Sequence, residues 1–154
     1  MKRPVISVIL SVFNNRQDLS GALESIREQS FQDYELIAIN DGSTDGCGEV
    51  LERAARTDPR IRVIQQRNNG LGYSLARGCR EAQGEFLARQ DADDISAPTR
   101  LEDQLRFMQN NPSCVLSGCW AWFGEHTPTT LFASEVPNDS EQLKRFLLSG
   151  VNPF

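Results

Sequence analysis

The sequence predicts an α/β protein with a mainly parallel sheet. Three observations point there. Strand-like and helix-like patterns alternate through the first 120 residues. The first strand-like run is apolar on both faces, as expected of a strand covered on both sides. Polar, turn-forming clusters follow the strands, whereas the helix-to-strand connections are plainer. Alternation at this spacing makes βαβ units, and a chain of 154 residues fits one domain, residues 1–154.

Val5-Ile6-Ser7-Val8-Ile9-Leu10-Ser11-Val12 is nearly continuous and β-branched, hence a buried first strand. Leu19, Leu23 and Ile26 then recur at helical spacing with Ala22 beside them, and Asn15 is the expected N-cap. Tyr34-Glu35-Leu36-Ile37-Ala38-Ile39 is the second strand. Val50, Leu51, Ala54 and Ala55 mark a second helix. Asp58-Pro59 ends it, because proline disfavours helical backbone in the residue before it. Ile61-Arg62-Val63-Ile64 is the third strand, and Leu71, Leu75, Cys79 and Ala82 form a third helical stripe terminated by Gly84. Glu85-Phe86-Leu87-Ala88-Arg89 is the fourth strand. Thr99-Arg100-Leu101-Glu102, just after Pro98, reads as a capping box for a fourth helix. That helix carries Leu101, Leu105 and Met108 and closes at Asn110-Asn111-Pro112. Cys114-Val115-Leu116-Ser117-Gly118-Cys119-Trp120 reads as a fifth strand, followed by weaker patterns for a strand over 130–136 and a helix over 139–148.

Composition excludes several classes. Hydrophobic residues make up 39% of the chain, enough for a core, and the 24% charged fraction is ordinary for a globular protein. A net charge of -5 argues against a general nucleic-acid binder, which carries a basic face. Lys2 and Lys144 are the only lysines, so the positive charge is almost all arginine. No apolar run approaches the roughly 20 residues of a membrane helix. The apolar start runs straight into Asn14-Asn15-Arg16-Gln17-Asp18 without a small-residue cleavage site, so it is a buried strand rather than a signal peptide. Cys47, Cys79, Cys114 and Cys119 lack C-x-x-C spacing and are expected to be reduced. His126 is the only histidine, which removes histidine-rich zinc sites.

Ligands of parallel sheets bind outside the carboxyl ends of the strands. Four polar clusters fall on that edge: Phe13-Asn14-Asn15, Asn40-Asp41-Gly42-Ser43-Thr44-Asp45-Gly46, Arg67-Asn68-Asn69-Gly70 and Gln90-Asp91-Ala92-Asp93-Asp94. The last puts three carboxylates within four residues. Their repulsion calls for compensation, and a hard divalent cation such as magnesium, manganese or calcium suits oxygen ligands. A cation there implies a phosphate-bearing ligand. The plain alternative is an Asx-rich turn capping the next helix. An EF-hand fits poorly: Asp91, Asp93 and Glu102 take positions 1, 3 and 12, but Ser96 replaces the glycine, Ile95 stands where a ligand belongs and Pro98 interrupts. In the second cluster Asp41 is an anion at a strand end, suited to donors such as the imide N–H of a uracil or a ribose hydroxyl. The alternative there is a turn with Ser43 or Asp45 as helix cap. No Walker A loop and no G-x-G-x-x-G after the first strand occur.

Taken together in this order, these motifs resemble glycosyltransferase family 2. The resemblance runs from Ser7-Val8-Ile9-Leu10-Ser11-Val12-Phe13-Asn14-Asn15, through the Asp41 loop and Asn68-Asn69-Gly70-Leu71-Gly72, to Asp91-Ala92-Asp93-Asp94 with Pro98-Thr99-Arg100-Leu101. Phe13 stands where the family more often has tyrosine, and Arg77 where it has asparagine. The resemblance implies the GT-A fold, a Rossmann-like α/β/α sandwich. It implies transfer of a sugar from a nucleotide-diphosphate sugar, a UDP-sugar first among them, to an acceptor hydroxyl with inversion. Asp41 would then contact the nucleobase, with Ser11 and Phe13 lining its pocket. Asp91 would contact the ribose or a metal-bound water, and Asp93 would ligate Mn2+ or Mg2+, with Asp91 the second candidate ligand. Asp94 is left without a role.

The same resemblance implies a saccharide or lipid-linked acceptor, no nucleic-acid partner, and a cytoplasmic protein with peripheral membrane association of the full-length form. In the family the catalytic base comes from a later half, and Val151-Asn152-Pro153-Phe154 looks like the start of that segment. The expectation is therefore a truncated, donor-binding half. Glu125, Glu135 and Asp139 are available carboxylates, and the catalytic residue stays unknown. The alternatives are a non-catalytic nucleotide-binding module and a sugar-phosphate nucleotidyltransferase. The latter is disfavoured because no glycine-rich basic loop follows the first strand.

Overall fold

The computed structural model describes residues 3–119, together with the backbone of 122–123 and 132–133. The chain divides into two compact units, Met1–Pro112 and Ser113–Phe154. The first unit is α/β and alternates strictly: β1 (Ile6–Val12), α1 (Arg16–Arg27), β2 (Tyr34–Asp41), α2 (Cys47–Thr57), β3 (Ile61–Gln66), α3 (Leu71–Glu81), β4 (Phe86–Asp91) and α4 (Arg100–Asn110). Its four strands form one sheet in the order β3-β2-β1-β4, and each neighbouring pair is parallel.

The side chains explain the layering. One face of β1 sends Val8, Leu10 and Val12 into a core shared with Leu19, Leu23 and Ile26 of α1, Leu51 of α2 and Leu101 and Leu105 of α4. The other face carries Ile9, which packs with Ile37, Ile39 and Ile64 under Leu75 of α3. Helices therefore cover both faces, which is why β1 and β2 are apolar without alternation. Gly78 lets α3 lie close to the sheet: a Cβ there would stand 2.4 Å from Cγ2 of Ile9.

Four details differ from the sequence expectations. Asn15 takes the N-cap position of α1 but makes no side-chain cap bond. The capping box of α4 does not form either, since Thr99 makes no side-chain cap bond and Glu102 accepts from Ser30 Oγ at 2.6 Å. Gln29, 1% exposed, takes over by accepting from the Leu101 N–H at 2.9 Å. Both local caps lose to tertiary partners. Third, α3 stops at Glu81, three residues short of Gly84. Gly84 instead presses on the backbone of β1, where a Cβ would meet Ser7 N at 2.6 Å.

The fourth concerns the fifth strand expected over 114–120. Residues 114–119 carry no strand, and Val115 and Leu116 are 92% and 83% exposed. An apolar run becomes a strand only when its backbone finds a partner, and periodicity alone cannot supply one. The short strands of the second unit are β5 (Trp122–Phe123) and β6 (Phe132–Ala133), paired antiparallel. The latter lies inside the strand expected over 130–136. The helix expected over 139–148 lies outside the described residues, as do His126, Glu125, Glu135 and Asp139. Cys47, Cys79, Cys114 and Cys119 are free thiols. Among the described residues no helix is long and apolar enough to cross a membrane.

Candidate functional site

The sheet order reverses direction at β1: the chain builds outward through β2 and β3, then returns to β4 on β1's other side. The crevice at such a switch point, outside the carboxyl ends, is where ligands of open α/β sheets bind. Three loops converge there. Ser11 near the end of β1 is half-buried and stands in register between Ile39 of β2 and Asp91 of β4. Phe13, one residue past β1, is 51% exposed. Asn14 follows with φ of 50°, in the left-handed region that Asn tolerates better than most residues.

Asn14 ties the first loop to the second. Its N–H donates to Ser43 Oγ at 3.0 Å, and its Oδ1 accepts from the Thr44 N–H at 2.8 Å. Asp45 completes the lacing. Its Oδ1 accepts from the Cys47 N–H at 3.1 Å, at the start of α2. Its Oδ2 accepts from the Arg16 N–H at 2.9 Å, at the start of α1. One carboxylate thus caps two helices, and the bonds from Cys47, more than that from Arg16, hold Asp45 below the usual carboxylate range. Of the two caps considered for this turn, Asp45 is the one used.

Asp41 ends β2 and is only 2% exposed. Its Oδ1 accepts from Gln66 Nε2 at 2.7 Å and from the Asn69 N–H at 2.9 Å. Its Oδ2 accepts from the Gly70 N–H at 2.9 Å. Burial alone pushes this carboxyl upward, but the bonds from Gln66, Asn69, Gly70 and Ser74 outweigh it and hold Asp41 below its ordinary value. Gly42 makes the geometry possible: φ is +79° and a Cβ would stand 2.7 Å from Asn68 N. Gln66 also donates to Ser74 Oγ at 2.9 Å and accepts from Arg77 Nη1 at 2.9 Å. Arg77, where the resemblance expects asparagine, therefore buttresses the residue behind Asp41.

Asp91 is the last residue of β4 rather than part of the following loop. Residues 91–94 make a turn closed by the Asp94 N–H donating to Asp91 O at 3.3 Å. Ala92 is 7% exposed and belongs to the core, while Asp93 and Asp94 are exposed. Arg89 donates through Nε and Nη2 to the two carboxylate oxygens of Asp91, at 2.7 Å each. Desolvation by the surrounding chain, then the charges of Asp91 and Asp93, push Asp94 above its usual value. Asp93 has no hydrogen bond or ion pair among the described residues.

Part of the compensation expected from a cation is therefore supplied by Arg89. Residues i and i+2 share a face of a strand, so the Arg89–Asp91 pair was readable from spacing alone. No group of three or more His, Cys, Asp or Glu side chains suited to a metal occurs among the described residues. That donor set still suits magnesium or manganese, which take one or two protein carboxylates and complete their shell with phosphate oxygens and water. Asp93 and Asp91 are the carboxylates available for such an ion, and Asp91 is paired with Arg89. Gln66 and Gln90, at the ends of β3 and β4, hold the neighbouring loops, and pattern alone does not reveal them, because glutamine at a strand end carries no periodic signal.

Comparison with known proteins agrees with this frame. A sequence profile described as glycosyl transferase family 2 matches residues 7–153. A Bacillus subtilis protein named as a glycosyltransferase, EpsH, is 32% identical over 151 residues, covering 98% of this chain and 44% of its own. The mannosyltransferase PcManGT of Pyrobaculum calidifontis, solved with GDP-Man and Mn2+, superposes with a TM-score of 0.64 at 26% identity, over 70% of this chain and 33% of its own. TarS 1-349 of S. aureus, solved with UDP-GlcNAc, gives 0.64 at 27% identity, over 70% and 32%. The chain spans less than half the length of EpsH.

Proposed function

This chain belongs to glycosyl transferase family 2, and from that premise we propose that it is the donor-binding part of a metal-dependent, inverting glycosyltransferase that uses a UDP-sugar. The observation carrying the proposal is the placement of Asp41 and the 91–94 turn at the carboxyl ends of β2 and β4, on either side of β1. A base-binding carboxylate and a diphosphate-binding turn then flank one crevice.

Asp41 already accepts from Gln66, Asn69 and Gly70. Little acceptor capacity is left on it, which suits the single imide N–H of uracil better than the two neighbouring donors of guanine. Ser11 and Phe13 line the base, the latter with its exposed ring.

Asp93 would hold Mn2+ or Mg2+, with Asp91 either joining it or contacting the ribose. When bound, such a cation neutralises the charge that builds on the departing diphosphate. In the transfer, the acceptor oxygen bonds to the anomeric carbon and the bond from that carbon to the diphosphate oxygen breaks. The electron pair leaves with UDP, and the acceptor proton passes to a carboxylate base. No described residue is assigned as that base. The acceptor is a saccharide or lipid-linked hydroxyl.

Thermal unfolding with UDP, with and without Mn2+, tests the proposal. Saturation at 100 times Kd stabilises by about 2.7 kcal/mol, and the shift should be larger with Mn2+. GDP should stabilise less than UDP at equal concentration. Absence of any metal-dependent shift at millimolar UDP would sink the metal-diphosphate site, and a larger shift with GDP would sink the uracil assignment.

A further inference from the structure

We propose that Gln90 is a positioning residue for the acidic turn: its buried amide clamps the backbone of 91–94 so that the Asp93 carboxylate is presented to a divalent cation. This rests on the metal-diphosphate proposal above and extends it to a side chain that touches neither metal nor donor.

The inward row of β4 is Phe86, Ala88 and Gln90; the first two pack against the apolar core, and Gln90 is only 3% exposed. A primary amide has two donor hydrogens and two acceptor lone pairs, and Gln90 uses all four. Nε2 donates to Asp91 O at 3.0 Å and to Asp94 O at 2.8 Å, the two ends of the turn. Oε1 accepts from Ser96 Oγ at 2.6 Å and from Arg100 Nη2 at 3.2 Å. The amide therefore joins the carbonyls below the acidic side chains to the first residue of α4. The small side chain of Ala92, sunk into the core, fixes the same turn from its middle. A buried side chain with every polar atom committed has one orientation, and a turn held at both ends by it has little freedom to re-aim Asp93. An apolar residue would satisfy the inward pattern of β4 equally well, so the amide is explained by the turn and not by the core.

Calorimetric titration of the 154-residue chain with UDP, in the absence and presence of MnCl2, separates positioning from folding. Gln90→Met removes all four bonds at similar volume. Gln90→Glu keeps acceptors for Ser96 and Arg100 but turns lone pairs toward the two carbonyls. Both variants should bind UDP without metal as the wild type does, and should lose about 10- to 100-fold of the affinity gain that Mn2+ confers. Retention of the Mn2+ gain in both variants overturns the inference. So does an equal loss of metal-free UDP binding, because the effect is then general damage. A wild type with no Mn2+ gain overturns the metal-diphosphate proposal itself.

Discussion

Asp41→Asn isolates what a buried carboxylate contributes at the end of β2. The substitution keeps shape and removes the charge. With the amide oxygen facing Gln66 and the Asn69 N–H, the new NH2 group meets the Gly70 N–H that Asp41 Oδ2 now accepts at 2.9 Å. Setting that part-buried donor against another donor costs up to about 1–3 kcal/mol, and the two surviving bonds lose their charge assistance, about 1 kcal/mol each. Release from desolvating an ionised group offsets part of this, leaving a net loss of about 2–4 kcal/mol. For a chain of this size each kcal/mol moves Tm by about 3 °C. Urea and thermal unfolding at neutral pH measure it, with Asp93→Asn as the exposed control, expected within about 0.5 kcal/mol of wild type. Amide exchange at Asn69 and Gly70 should quicken in the Asp41 variant alone. A destabilisation below about 1 kcal/mol, or one matching the Asp93 control, would refute the role assigned to the three bonds. The same experiment bears on ligand binding. Loss of UDP affinity in an Asp41 variant would combine loss of the proposed base contact with a loosened β3–α3 loop, so affinity is to be compared with exchange at Gly70.

Further outcomes follow from individual contacts. Gly78→Ala should destabilise by about 1–3 kcal/mol through overpacking against Ile9, whereas Gly72→Ala, with nothing within 4 Å of its Cβ, should gain up to about 1 kcal/mol of helix propensity; urea midpoints distinguish the two. Asp45→Ala should lower stability more than Asp45→Asn, and amide exchange should speed up at both Arg16 and Cys47, the two N–H groups it caps. Arg60 bonds to Asp58 through its side chain and holds that carboxyl below its ordinary value. A depressed carboxyl stabilises fully above its unfolded pKa of about 3.9 and loses that contribution as pH falls through the folded value. Asp58→Asn should therefore flatten the acid limb of a stability–pH profile below about pH 4 while leaving its shape above neutrality unchanged. An unchanged acid limb would show that Asp58 titrates alike in both states.

Most of the frame was legible in the linear pattern, for a physical reason. A strand buried on both faces must be apolar throughout, and a helix on a sheet must repeat near 3.6 residues, so β1, α1, β2 and α2 announce themselves locally. The placement of polar loops on the carboxyl edge follows from parallel connectivity, which made the acidic turn and the Asp41 loop visible as site candidates. Helix caps were not legible. Asn15 and Thr99 have the right chemistry in the right place, yet Asp45 and Gln29 do the capping, because a distant side chain that folding brings near competes with a local one on equal terms. The run over 114–119 failed for a related reason: strand propensity is realised only by pairing.

The sequence by itself determined the parallel α/β class, the edge on which chemistry collects, and the residue types available there, since these depend on periodicity and order. Tertiary structure alone decided who holds whom. It surrounded Asp41 with donors from Gln66, Asn69 and Gly70 and put Gln90 beneath the turn with every polar atom used. Hydrogen-bond partners separated by dozens of residues, such as Asp41 and Gly70, leave no trace in any local pattern. Their pairing depends on distances that exist only once the sheet is assembled.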